Sequence, residues 1–301
     1  MKKKNRLLLI LLAALLLCCA LYGLLRFLDA RKAEKAEGSA QSSVIYLSQI
    51  EEANSLTYSN SSGVFSFTSD GSRWVYDSDP DFPLSQSDLS LIAVSMKNLT
   101  ALRQLEGGED LSAYGLDSPA SYVSAKNAAG DEVTVLIGSM ASDGSYYAMR
   151  GGEEAIYTIS ASLPQQLKDV YALYALPAIV TVGATFDALE LEGTLAGAPR
   201  TLSGLAEDMS DAVKALRTAW LDLAFDSLYA YRPDGAKLAE CGLDAPALSL
   251  GVSYSDGSSA LLLLGAQNEN GDYYARLGQD GDICLLPESQ ATALLDALAA
   301  L

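Results

Sequence analysis

The sequence predicts an α+β protein: two tandem repeated modules of antiparallel β-meander and hairpins with packed helices, behind one N-terminal transmembrane helix. Three observations predict it. They are an uncharged apolar run near the N-terminus, an internal repeat of long period, and short alternating segments around an amphipathic helical pattern in each copy. With 301 residues, half of them hydrophobic and 19% charged, the chain has length for about two domains and apolar material to fill them.

Lys2, Lys3, Lys4 and Arg6 precede an uncharged run at residues 7–25 that Arg26 closes. At about 1.5 Å of helical rise per residue the run reaches about 28 Å, close to the hydrocarbon thickness of a bilayer. A cleaved signal peptide has a shorter apolar region and a small-x-small site. Here the run ends in Tyr22-Gly-Leu-Leu-Arg26, so the segment reads as a retained anchor. Leu17 before Cys18 and Cys18 before Cys19 break a lipoprotein signal. The basic flank puts residues 1–6 in the cytoplasm, with everything after Arg26 extracytoplasmic at the cell membrane. Residues 26–43, rich in Ala, Lys, Glu and Ser, read as a stalk, followed by modules at 44–175 and 176–301.

Charge and composition exclude several functions. Residues 38–301 keep 12 of the 20 basic and 35 of the 38 acidic residues, a net charge of −23 that opposes nucleic acid. The chain has no histidine, which removes Ser-His-Asp triads, Cys-His pairs, histidine-ligated metals and imidazole proton shuttles. No catalytic, cofactor-binding or metal constellation stands out.

The repeat aligns residues 114–157 with 241–284 at a constant offset of 127, without a gap, and 14 of the 44 positions are identical. Composition alone predicts about three. In the first copy, strands fall at 55–58, 64–68 and 73–76, separated by turn residues. A helix follows Pro83, capped by Ser85 or Ser87, with Leu89, Ile92, Ala93, Met96 and Leu99 on one face. Hairpin strands at 121–125, 132–137, 146–149 and 155–159 come next, then a short helix at 163–170. The second copy repeats the plan. It has strands at 186–191 and 201–205, an amphipathic helix at 208–223, strands at 248–254, 260–264, 273–277 and 283–286, and a closing helix at 288–301. Nothing in it corresponds to Trp74-Val-Tyr76.

The order Trp74-x-Tyr76, Asp81-Phe-Pro-Leu84, Tyr114-Gly-Leu-Asp-x-Pro119, Leu136-Ile-Gly138, Tyr146-Tyr-Ala148 and Ile156-Tyr157, behind an anchor, resembles the bacterial domain of unknown function 4340 family over nearly the whole chain. The resemblance implies a membrane-anchored extracytoplasmic protein, often encoded beside ATP-binding-cassette export components. It implies no activity and no cofactor. The departures are Cys241, Cys284 and the worn strands of the second copy.

Each candidate site has a packing explanation beside it. Gly115, Leu116, Asp117 and Pro119, repeated as Gly242, Leu243, Asp244 and Pro246, either form a paired ligand site or are turn chemistry. Tyr146-Tyr147 and Tyr273-Tyr274 alternate faces of a strand, one ring inward and one outward, where the outward ring packs across strands or stacks on a glycan or partner. The acidic loop Asp77-Ser-Asp-Pro-Asp81 lacks the glycine and closing glutamate of a calcium loop and reads as a turn, as does Asn268-Glu-Asn-Gly-Asp272. Cys241 and Cys284 replace Tyr114 and Tyr157; they are either a disulfide or two buried thiols. The leading expectation is a non-enzymatic accessory or binding protein of a membrane transport or envelope complex. A carboxylate-dependent envelope hydrolase and a carbohydrate-binding or adhesive module are the alternatives.

Overall fold

The computed structural model describes residues 44–105, 110–180, 190–195, 198–202, 210–254 and 257–301, with 190–195 and 198–202 as backbone only. The expected tail, anchor and stalk lie outside the described residues. Among those described, no helix is long and apolar enough to cross a membrane.

The fold is α+β with antiparallel sheets and few helices. The chain enters through a two-stranded ribbon of β1 (Tyr46–Ser48) and β5 (Leu99–Thr100). The first large sheet combines β2 (Ala53–Asn60), β3 (Gly63–Ser69), β4 (Trp74–Tyr76), β6 (Arg103–Gln104), β7 (Ser121–Asn127), β8 (Glu132–Met140), β9 (Tyr146–Arg150) and β10 (Ile156–Ile159). Their order is β4-β3-β2-β7-β8-β9-β10-β6. The second sheet contains β11 (Glu190–Leu195), β12 (Ala198–Leu202), β13 (Ser227–Ala230), β14 (Leu248–Ser253), β15 (Ser259–Gln267), β16 (Tyr273–Leu277) and β17 (Ile283–Leu286). Its order is β12-β11-β14-β15-β16-β17-β13, which is the first order without the edge strand β4. Trp74-Val-Tyr76, the segment without a counterpart in the second copy, is that edge strand.

One helix-covered face of each sheet holds the main core. On the first sheet α1 (Gln86–Lys97) and α2 (Ser162–Gln166) lie over Leu56, Tyr58, Phe67, Val123, Val135 and Ile137. The predicted start of α1 is right: Ser85 Oγ accepts from the Asp88 backbone N–H, and Asp88 sits in the first turn where the helix dipole favours a carboxylate. Leu89, Ile92 and Met96 form its buried stripe. On the second sheet α3 (Asp211–Leu221) and α5 (Glu288–Ala299) pack against each other and against Leu250, Val252, Leu262 and Leu264. Trp220 of α3 is buried and donates its indole N–H to Tyr254 Oη at 2.7 Å, so its one polar atom is satisfied inside the core.

The differences from the predicted elements have local causes. Of the strand expected at 186–191, positions 186–189 lie outside the described residues; β11 runs from Glu190 on to Leu195, through Gly193, which reads as a breaker. Its partner Ala198–Leu202 contains Pro199, tolerated because among the described residues β12 is an edge strand without a neighbour on one side. β1, β5, β6 and β13 were not predicted; they are two to four residues long, too short to show a period. Nor was the short helix α4 (Gly235–Glu240), capped by Asp234.

Candidate functional site

The opposite face of each sheet carries a small second core, and the repeated Gly-Leu-Asp-x-Pro segment builds it. In the first sheet a 3-10 turn at Leu111–Tyr114, capped by Asp110, ends at Gly115 in the left-handed conformation, φ 67°. Leu116 then turns inward among Met149 and Ile156, with Tyr114 and Tyr147 around it, while Asp117 stays exposed. In the second sheet α4 ends at Cys241, Gly242 has φ 68°, and Leu243 is buried with Cys241, Leu263 and Ile283, while Asp244 is exposed. Pro119 and Pro246 are half-buried at the start of the next strand.

These segments are plugs seated on a glycine in the strand beneath. A Cβ on Gly138 would lie 2.2 Å from the Tyr114 carbonyl oxygen, and one on Gly265 would lie 2.1 Å from that of Cys241. The Ala266 N–H donates to the Cys241 carbonyl at 2.8 Å. Leu136-Ile-Gly138 and the Gly-Leu-Asp segment, distant in sequence, are thus two halves of one contact. The structure does not bring the two signatures together into one site: each closes its own sheet, in separate clusters.

The tyrosine pairs divide as alternation requires. Tyr146 and Tyr273 pack against the helix-side cores, and Tyr147 and Tyr274 against the plugs. The Tyr147 ring meets Tyr114 edge-on at 4.8 Å, and Tyr274 meets Tyr229 at 4.5 Å. Lys237 Nζ stands 4.7 Å over the Tyr229 ring and donates to Glu240 at 2.9 Å.

Of the two readings of Cys241 and Cys284, a disulfide or two buried thiols, the structure has the thiols. Cys241 and Cys284 are both free and buried, and they belong to different clusters. Ile283 faces the plug with Cys241; Cys284, the next residue on β17, therefore faces the helices. The offset that places both cysteines at the ends of one repeat puts them on opposite faces of the sheet. Burial pushes the Cys284 thiol up to about 12, so it behaves as a small apolar side chain.

One site joins the two sheets, and the sequence reading missed it. Phe82, just after the acidic loop, is ringed by Tyr76, Tyr171, Tyr174 and Tyr231 at centroid distances of 6.0, 6.1, 5.7 and 5.1 Å. Asp79 in that loop accepts from Tyr231 Oη at 2.9 Å and from the Arg232 guanidinium at 3.0 Å. In the other direction Asp282 accepts from Tyr174 Oη at 2.7 Å and from the Arg232 backbone N–H at 2.7 Å. Arg232 holds φ 47°, a costly conformation for a side chain with a Cβ, which its three acceptor contacts offset. The Asp77 to Asp81 loop is the turn it was expected to be, and it is also the socket of this junction. Sequence could have flagged only the concentration of Tyr and Asp outside the repeat alignment, with Asp282 inside it opposite Ala155.

Burial and the Asp79 carboxylate push Tyr231 up to about 12, and burial and Asp282 raise Tyr174 further. Both phenols are held neutral by the fold. A raised pKa means that this contribution is whole below pH 10 and is lost as pH climbs through 12. Stability measured by denaturant titration is therefore expected to fall between pH 10 and 12, with a shallower slope in Tyr174→Phe, which has no proton there to lose.

Among the described residues no group of three or more Cys, Asp or Glu side chains is placed to hold a metal ion. A cleft of about 700 Å³ lies beside α1, lined by Trp74, Asn54, Ser69, Asp70 and Lys97.

The fold and these sites define a two-sheet α+β body whose repeated motifs are plugs and whose halves meet at an aromatic junction. It carries a DUF4340 domain: residues 74–174, from β4 to the junction tyrosine Tyr174, match the model of that family, a domain of unknown function. The match takes in β4 and β6 to β10 of the first sheet, leaves out β2 and β3, and stops before the second sheet, so it is narrower than the resemblance read from the motifs. No curated protein and no solved structure matches the chain.

Proposed function

We propose that this protein is a membrane-anchored, extracytoplasmic accessory or binding subunit that works by contact beside a membrane transport or envelope complex, and that its body arose by tandem duplication of one α+β module. The observation that carries the reading is the junction. Reciprocal Tyr-to-Asp hydrogen bonds and the Phe82 cluster couple the two sheets, which suits a rigid platform presenting surface at a fixed distance from its tether. The basic flank and apolar run at residues 1–25 supply the tether, and the matching strand orders support duplication. Crosslinking in intact membranes followed by purification is expected to recover an integral transport protein. Recovery of the chain alone, together with turnover of a wall glycan by the purified protein, would point to the hydrolase instead.

A carbohydrate-binding reading has one observation in its favour, the cleft beside α1, where an indole adjoins amide, hydroxyl and carboxylate side chains.

A further inference from the structure

The plug cluster of the second sheet contains one side chain of the wrong chemistry. Arg276 stands on β16 opposite its register partner Leu263 and on the same face as Tyr274, both members of that cluster. Only 5% of its surface is exposed. Its Nε is buried without a hydrogen-bond partner, and among the described residues no carboxylate lies within ion-pair distance of the guanidinium.

The first sheet shows what packing alone asks for at this place. At the offset of 127 Arg276 corresponds to Met149, which fills the same position against Leu116 and Ile156. A thioether fits an apolar pocket without penalty, whereas a guanidinium loses hydration on burial. Residues 38–301 hold 35 carboxylates, so a pairing acid was within easy mutational reach, yet among the described residues none is in place. A water molecule would satisfy Nε but leave the charge uncompensated.

We propose that Arg276 is an anion receptor, and that its ligand is a small molecule bearing a single carboxylate. The planar guanidinium presents paired N–H donors that match two carboxylate oxygens. The net charge of −23 over residues 38–301 repels a multiply charged phosphate more strongly than a monoanion, which favours a single carboxylate. Gly278, with φ 76°, follows the end of β16 at Leu277, so Arg276 stands one residue from the end of its strand. The inference goes beyond the accessory role and holds whether or not the chain is anchored, so its failure leaves that reading standing.

The test is thermal unfolding of the full chain in neutral detergent, in sodium acetate, sodium phosphate or sodium chloride at matched ionic strength. The wild-type midpoint is expected to rise saturably in acetate, by about 4 °C at ten times the Kd, and less in phosphate. Arg276→Met is expected to start at a higher midpoint and show no acetate response. If that variant fails to fold, Arg276→Lys decides, its acetate response being at least halved by loss of the planar donor pair. An acetate rise no larger than that in chloride overturns the proposal, as does an equal rise in the variants; a larger rise in phosphate overturns the choice of ligand.

Discussion

Replacing Gly138 by alanine is expected to destabilise the protein by about 3 kcal/mol or more, and Gly265→Ala by a similar amount. Neither glycine is needed for its backbone conformation, since neither has a positive φ. What each supplies is the missing Cβ. The obstacle is a backbone carbonyl, of Tyr114 or Cys241, at 2.2 or 2.1 Å from where the Cβ would stand, and a carbonyl cannot rotate away as a side chain can. Relief would require lifting the plug, which exposes Leu116 or Leu243 and their small clusters. Gly235, with nothing within 4 Å and at the first position of α4, is the control: alanine there is expected to be neutral or slightly stabilising. Urea denaturation of the three variants checks the comparison. A Gly138→Ala variant as stable as Gly235→Ala would mean that the plug does not sit on the strand.

The second large effect is expected at the junction. Phe82→Ala removes a buried ring that touches four tyrosines, three of them far along the chain, and is expected to cost about 4 kcal/mol. The loss should fall on coupling as well as on stability. Tyr231 belongs to the second sheet's β13 connection and Tyr174 to the segment between the sheets, so the cavity opens where the halves meet. Calorimetry is expected to show one transition for the wild type and two resolved transitions for Phe82→Ala. A single transition at an unchanged midpoint in the variant would mean that the sheets are joined elsewhere. Asp79→Asn and Tyr231→Phe should each move the midpoint far less, by about 1 kcal/mol, because their bonds are partly exposed to competing water.

Much of the sheet architecture was legible because alternation and turn residues mark hairpins strongly. β7 to β10 and β14 to β17 lie within a few residues of their expected places, since Asp143-Gly144 and Asn268-Glu-Asn-Gly271 punctuate them and the repeat reads each copy twice. The inner and outer roles of Tyr146 and Tyr147 followed from period two alone. What failed was whatever depends on contact between distant segments. The equivalence of the cysteines to Tyr114 and Tyr157 leaves a disulfide and two buried thiols both open, because equivalence in a repeat does not fix the face of a strand, and Cys284 shares its side with the helices. The same applies to the tyrosines they replace: Tyr157 lies in the helix-side core and Tyr114 beside the plug. The junction escaped because its residues come from 76 to 82, 171 to 174, 231 to 232 and 282, and no spacing rule links segments so far apart. Arg276 is illegible for a simpler reason, since an isolated arginine in a strand has the pattern of a solvent-facing residue and only its burial sets it apart.

We propose a tethered body whose surface, and not a reaction centre, is the working part. Its most direct test is fractionation of cells producing the native chain, with an alkaline carbonate wash and protease added from outside the membrane. The predicted result is that the protein stays in the washed membrane pellet and that its body is digested, once unfolded, by external protease alone. Recovery of the intact chain in the cytosolic supernatant would contradict it.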